Sequence, residues 1–148
     1  MESKEVQVIK SKKKFLKKYR VNQSCIRRLE DKLSRLDDRI KSVKSPNYSG
    51  MPRGGTPVTV ADLLSDKLEL EERIERLKNT GKNIRGKILA DIDSLEDPRY
   101  CEVMEEYCIG CKSIKDISED MGYTERHVYE LYKEAVEELA FQDSVTIQ

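Results

Sequence analysis

Polar side chains suited to reading base pairs cluster in residues 113–140, SIKDISEDMGYTERHVYELYKEAVEELA. Arginine and lysine donate hydrogen bonds to guanine, and glutamate accepts from cytosine, when a helix carrying them enters the DNA major groove. The polar residues left facing outward on the second helix of this segment are Glu125, Arg126, His127, Tyr129, Glu130 and Lys133. The segment predicts base readout, with Arg126 the candidate for a guanine and Glu125 or Glu130 for a cytosine.

Two short helices must position these side chains. Ser113 is placed to cap the first helix with Asp116 three residues on, Gly122 suits a left-handed turn, and Thr124 is placed to cap the second helix. Apolar residues recur at helical spacing in both halves: Ile114, Ile117 and Met121, then Val128, Leu131, Ala135, Val136 and Leu139. This pattern predicts a helix-turn-helix. The alternative is an ordinary helical hairpin inside another small domain.

Charge is distributed unevenly along a chain whose formal net charge is zero. Residues 1–53 carry 16 Lys/Arg against 6 Asp/Glu, a net of +10, whereas residues 97–148 carry 5 against 13, a net of −8. A dense basic block near the N-terminus predicts phosphate contact or, alternatively, a solvated helix start. The predicted phosphate-binding residues are Lys10, Lys12, Lys13, Lys14, Lys17, Lys18 and Arg20, with Arg53 in a later loop.

Composition excludes several classes of protein. Charged residues make up 38% of the 148 residues and Trp is absent, so we expect half-solvated helices rather than a large core. No run of about 18 apolar residues and no signal-peptide-like start occurs, which predicts no membrane span and a cytoplasmic location. With one histidine and no P-loop, zinc-protease or serine-hydrolase motif, we expect no enzyme and no cofactor.

The four cysteines include one C-x-x-C pair, Cys108 and Cys111. Together with Cys101 and His127 they have the composition of a Cys3His zinc site. No second C-x-x-C accompanies them, and cysteines are common as small core residues, so we predict no metal site. Without an export signal, disulfides are not expected.

Two longer helical patterns precede the helix-turn-helix. Residues 12–44 hold heptads, interrupted by Asn22 in the seam, and residues 60–96 resume a helical pattern after the proline- and glycine-rich loop 45–59. Thr59 is a candidate N-cap, and Asp97-Pro98 ends the second pattern. The prediction is an all-α chain: a flexible basic N-terminus 1–11, a long antiparallel coiled-coil hairpin 12–96, a three-helix helix-turn-helix domain 97–140 and a flexible tail 141–148.

The order SGMPRGG at residues 49–55, then LEDPRY, then MGYTERHVY at residues 121–129 resembles the ArpU/RinA-type phage regulators. The last segment is also similar to region 4 of bacterial sigma factors. The resemblance implies a phage or prophage transcriptional regulator of late or packaging genes, binding double-stranded promoter DNA in the cytoplasm of a host bacterium. It also implies that seven readout residues open and line the recognition helix: Thr124, Glu125, Arg126, His127, Tyr129, Glu130 and Lys133.

Three functions are consistent with the sequence. The first is the DNA-binding regulator, a homo-oligomer assembled through its coiled coil. The second is a protein-interaction module contacting RNA polymerase or another partner, since the acidic C-terminal third repels DNA. The third resembles the small terminase subunit of a phage packaging machine.

Overall fold

A computed structural model describes residues 3–44 and 59–146. Within these ranges all regular secondary structure is helical and no strand occurs, which confirms the all-α prediction. The helices are α1 (Lys4–Leu16), α2 (Lys18–Lys44), α3 (Val60–Asp93), α4 (Pro98–Met104) with a π-helical turn (Glu105–Ile109), α5 (Ile114–Met121) and α6 (Glu125–Thr146).

Helices α1 and α2 are separated only by Lys17. Its backbone N–H donates to the Lys13 carbonyl at 3.2 Å, and its own carbonyl accepts from Val21 at 3.1 Å, so helical hydrogen bonding continues through the bend. The helix begins much earlier than predicted, because the Ser3 hydroxyl accepts from the Val6 N–H and caps it. Residues 4–11 lie in α1 and residues 141–146 in α6, whereas the sequence predicted flexible ends.

Of the predicted loop 45–59, the structure describes only Thr59. Residues 49–55, which include Arg53, lie outside the described residues. The N-cap role predicted for Thr59 is confirmed. Its hydroxyl accepts from the Asp62 N–H at 3.1 Å and its own N–H donates to the Asp62 carboxylate at 3.3 Å. This reciprocal pair satisfies two backbone donors at the start of α3.

The chain forms two compact units. The multi-helix unit contains Met1–Val21 and Gly81–Gln148, and the two-helix unit contains Asn22–Thr80. These boundaries differ from the predicted division at residues 96 and 97. The reason is one shared core in the multi-helix unit, in which residues from α1, α3, α4, α5 and α6 pack together: Leu16, Ile88, Ile92, Leu95, Val103, Met104, Cys108, Ile117, Val128, Leu131 and Leu139.

The two-helix unit has a smaller core. Ile26 and Leu29 of α2 pack against Ile74 of α3, and partly buried leucines extend the cluster. The buried Asn22 donates its side-chain amide to the Leu77 carbonyl at 2.9 Å. Asn22 is therefore a buried polar residue whose amide group is hydrogen-bonded rather than left without a partner.

The turn between α5 and α6 has the local features that the sequence predicted. The Ser113 hydroxyl accepts from the Asp116 N–H at 3.1 Å at the start of α5. Gly122 ends α5 with φ of +71°, in the left-handed region. The Thr124 hydroxyl accepts from the His127 N–H at 3.1 Å and caps α6. The two side-chain caps and the left-handed glycine thus fix the angle at which α6 leaves the turn.

Replacement of glycine by alanine should change the free energy of unfolding in opposite directions at Gly122 and at Gly86. Gly122→Ala places a side chain at φ +71°, so it should lower the free energy of unfolding by about 1–2 kcal/mol. Gly86 lies inside α3 with open space around its Cα, so Gly86→Ala should raise that free energy by about 0.5–1 kcal/mol. Urea unfolding followed by circular dichroism measures both. Equal destabilisation by the two variants would contradict the assigned turn.

Candidate nucleic-acid interface

The N-terminal half of α6 presents a polar face to solvent. Val128 and Leu131 of this helix are buried in the core of the multi-helix unit. The predicted readout residues Thr124, Glu125, Arg126, Tyr129, Glu130 and Lys133 are all exposed, and His127 is half-buried. Six of the seven are therefore accessible together on one surface, as a readout face requires.

Arg126 is a highly accessible cation of this face, with 89% of its side chain exposed. Its Nε lies 3.3 Å from the Glu130 carboxylate, one helical turn on. An exposed ion pair of this kind is weak, so it opens readily when a stronger acceptor approaches. Arg126 can therefore exchange Glu130 for a guanine edge without a large loss of stability.

Tyr123 is a functional candidate that the sequence reasoning missed. Its ring packs edge-on against His127 with centroids 4.7 Å apart, and 37% of Tyr123 is exposed in the turn. The contact holds the His127 ring beside the start of α6. The sequence feature that could have identified this pair is its spacing, because Tyr123 and His127 are four residues apart with the Thr124 cap between them.

Helix α1 packs on α6 and carries lysines to the edge of this face. The Lys13 ammonium lies 6.0 Å from the Tyr129 ring centre and 5.9 Å from that of Tyr132, at the outer limit of cation–π contact. Lys10, Lys14 and Lys18 are exposed, and Lys13 and Lys17 are half-buried. At 100° per residue, Lys10, Lys13, Lys14 and Lys17 form one continuous patch. We call Lys10, Lys13, Lys14, Lys17 and Lys18, the last being the first residue of α2, the α1 lysine patch.

Lys12 differs from its predicted role as a phosphate contact. It is only 8% exposed, and its ammonium lies 2.6 Å from Asp91 and 2.7 Å from Asp143. Burial disfavours its charge, but hydrogen bonds to Asp143 and Asp91 outweigh that effect and raise the Lys12 pKa above its ordinary 10.5. Its charge is thus neutralised inside the unit, and we remove it from the phosphate-binding set.

Arg20 is likewise occupied within the unit. Its guanidinium donates to the Tyr107 carbonyl at 2.8 Å and the Lys112 carbonyl at 2.9 Å, and it lies 4.2 Å from the centre of the Tyr107 ring. Tyr107 lies in the π-helical turn and Lys112 three residues after it, where backbone acceptors lack helical partners. Arg20 therefore caps this segment, and the phosphate contact predicted for it stays a prediction.

The π-helical turn gives Arg20 these acceptors. The Gly110 N–H donates to the Glu105 carbonyl at 2.9 Å, and a Cβ at Gly110 would lie 2.8 Å from the Glu106 carbonyl oxygen. Only glycine fits this approach without a shift of the backbone. Cys111 follows with φ of +56°, an uncommon conformation for a residue with a side chain.

Three of the four thiols are buried or hydrogen-bonded to backbone carbonyls. Cys108 is fully buried, and burial raises the pKa of its thiol to about 12. Cys101 donates to the Leu95 carbonyl at 3.4 Å, and Cys111 to the Ile109 carbonyl at 3.6 Å. Across residues 3–44 and 59–146, no three His, Cys, Asp or Glu residues are grouped to hold a metal ion.

Comparison of the chain with family models, with characterised proteins and with solved structures found no match. Among the described helices, none is long and apolar enough to cross a membrane. The geometry of the α6 face and of the α1 lysine patch is therefore the basis for a functional proposal.

Removing Lys12 should destabilise the protein. Lys12→Met leaves Asp91, which is 25% exposed, without its cation and should lower the free energy of unfolding by about 1–3 kcal/mol at neutral pH. Because the folded-state pKa is raised, the difference from wild type should persist below about pH 10.5 and disappear as pH rises through that pKa. The exposed Lys14→Met on the same helix is the control. An equal effect of both variants would contradict the assigned ion pairs.

Proposed function

We propose that this protein is a sequence-specific DNA-binding transcriptional regulator of the ArpU/RinA type, with α5 and α6 as its helix-turn-helix. The observation that carries the proposal is the exposed N-terminal face of α6 lying beside the α1 lysine patch in one compact unit. An acidic helix alone repels phosphates, whereas this unit supplies the missing cations next to the readout face.

Base readout falls to the exposed face of α6. Arg126 can donate two hydrogen bonds to a guanine, and Glu125 or Glu130 can accept from the N4 amine of a cytosine. Thr124, His127, Tyr129 and Lys133 line the same surface. The Thr124 cap supports this assignment, because it holds the start of α6 in one geometry.

Affinity falls to the five residues of the α1 lysine patch. Phosphate contacts set position and binding strength but carry no sequence information. Lys12 is left out of this set because it is buried between two carboxylates, and Arg20 because its guanidinium binds two backbone carbonyls. Arg53 stays a predicted phosphate contact, outside the described residues.

The two-helix unit is proposed to be an antiparallel coiled-coil hairpin that assembles homo-oligomers. Its contacts run in opposite order along the two helices, with Asn22 against Leu77 and Asp37 against Lys67. Helix-turn-helix proteins commonly bind as dimers on two half-sites, and a coiled coil supplies such an interface.

A protein partner is the second candidate function, and the acidity of α5 and α6 favours it. Glu119, Glu125, Glu130 and Glu134 are all exposed on these two helices. A surface of this charge fits a basic patch on RNA polymerase, as the sigma region 4 resemblance implies. Selection from a random duplex library separates the two functions, because only the DNA-binding function enriches one sequence.

Arg126→Ala tests base readout. The substitution should weaken binding to the selected duplex by about 1–3 kcal/mol and relax the preference at one base pair. Binding to scrambled duplex should change little, since a base contact contributes mainly at its own site. Fluorescence anisotropy on both duplexes gives the measurement, with the exposed Arg85→Ala of α3 as the matched control. Equal weakening on both duplexes would reassign Arg126 to a phosphate.

The salt dependence of binding tests the α1 lysine patch. Lys14→Gln with Lys18→Gln should reduce the slope of log affinity against log salt by about 0.9 per lysine. The exposed Lys82→Gln with Lys87→Gln on α3 removes the same charge from the same unit. Sequence preference should be unchanged in both double variants. If the two pairs reduce the slope equally, the effect is one of net charge and the assigned patch is wrong.

A further inference from the structure

The two-helix unit carries a basic groove of about 460 Å³ that none of the roles above uses. Lys32, Arg35 and Arg39 of α2 and Arg73 of α3 surround its apolar residues Leu36 and Leu70. Lys32, Arg35 and Arg39 follow at steps of three and four, so they lie on one face of α2. Four cations therefore converge on one groove.

These four cations are exposed and make no ion pair with any other described residue. The other groove between the same two helices differs. There Glu30 pairs with Lys78 at 3.4 Å, and Asp37 pairs with Lys67 at 2.8 Å. Lys67 and Lys78 at that groove are thus ion-paired, whereas the four cations of the basic groove are available to an external anion.

We propose that this basic groove binds the phosphate backbone of duplex DNA without regard to sequence. Three of its four cations are arginines, whose planar guanidinium donates two parallel hydrogen bonds to phosphate oxygens. From Lys32 to Arg39 the helix rises about 10.5 Å, and each DNA strand carries a phosphate every 3.4 Å of its axis. Several phosphates therefore lie within reach of this face at once.

The remaining lining residues fit the same ligand. Leu36 and Leu70 are half-buried and offer apolar surface to the aliphatic stems of the arginines, which leaves the charged groups outermost. Asp66 and Glu69 border the groove on α3, so a phosphate approaches from the α2 side. The four cations outnumber these two carboxylates, and the groove keeps a positive balance.

The test replaces Arg35 and Arg39 by Gln, with Lys67→Gln plus Lys78→Gln as the control pair from the salt-bridged side. The full-length protein is titrated with a fluorescein-labelled random-sequence duplex between about 50 and 200 mM salt. The groove variant should lower the slope of log affinity against log salt by about 0.9 per arginine, and the control by less than half as much. Urea unfolding of both variants checks that they remain folded.

Three results would overturn the groove assignment: an unchanged slope in the Arg35/Arg39 variant, equal changes in both variants, or no binding of random duplex by wild type. Displacement of the duplex by polyglutamate of matched charge, as effective as by unlabelled duplex, would also overturn it and assign the groove to acidic protein. Arg126→Ala has its own readout on the selected duplex, so failure of the groove and failure of α6 readout are distinguishable.

Discussion

The docking of basic α1 on acidic α6 is the interaction on which the multi-helix unit depends. Lys12 and Asp143 are 131 residues apart in sequence, yet their charged atoms lie 2.7 Å apart. Leu16 of α1 is completely buried in the same core as Leu131 and Leu139 of α6. The basic N-terminal end and the acidic C-terminal end of the chain therefore meet inside one folded unit. Loss of this contact would expose both the apolar face of α6 and an unpaired carboxylate.

Local signals were predictable from the sequence because their partners are a few residues away. The caps at Thr59, Ser113 and Thr124 each accept from an N–H three residues on. Gly122 has the left-handed backbone that ends α5. Apolar spacing likewise identified the buried face of α6. Each of these features is determined within one or two helical turns, where sequence separation and spatial distance coincide.

Long-range partners were not predictable, because sequence alone does not distinguish one lysine of a basic block from the next. Lys12 is buried by two carboxylates, whereas Lys14 on the same helix is exposed. Arg20 binds the π-helical turn, which lies nearly ninety residues further along the sequence, and no residue spacing predicts that turn. The heptad of residues 12–44 is one pattern in sequence, yet its residues contribute to two separate cores. Which core a residue joins depends on partners that a single-helix pattern does not contain.

This use of cations inside the fold has a consequence for recognition. Of the seven cations from Lys10 to Arg20, Lys12 is neutralised by carboxylates and Arg20 donates to backbone carbonyls. Fewer cations therefore remain for phosphates than the sequence suggests. If α6 enters a major groove, Glu125 and Glu130 are attracted only where a cytosine amine faces them and are repelled by the acceptors of other bases. Lysines beside the helix then supply affinity, while carboxylates on it reject wrong sequences. An acidic recognition helix is in that case compatible with DNA binding, provided that the cations lie on neighbouring helices rather than on α6 itself.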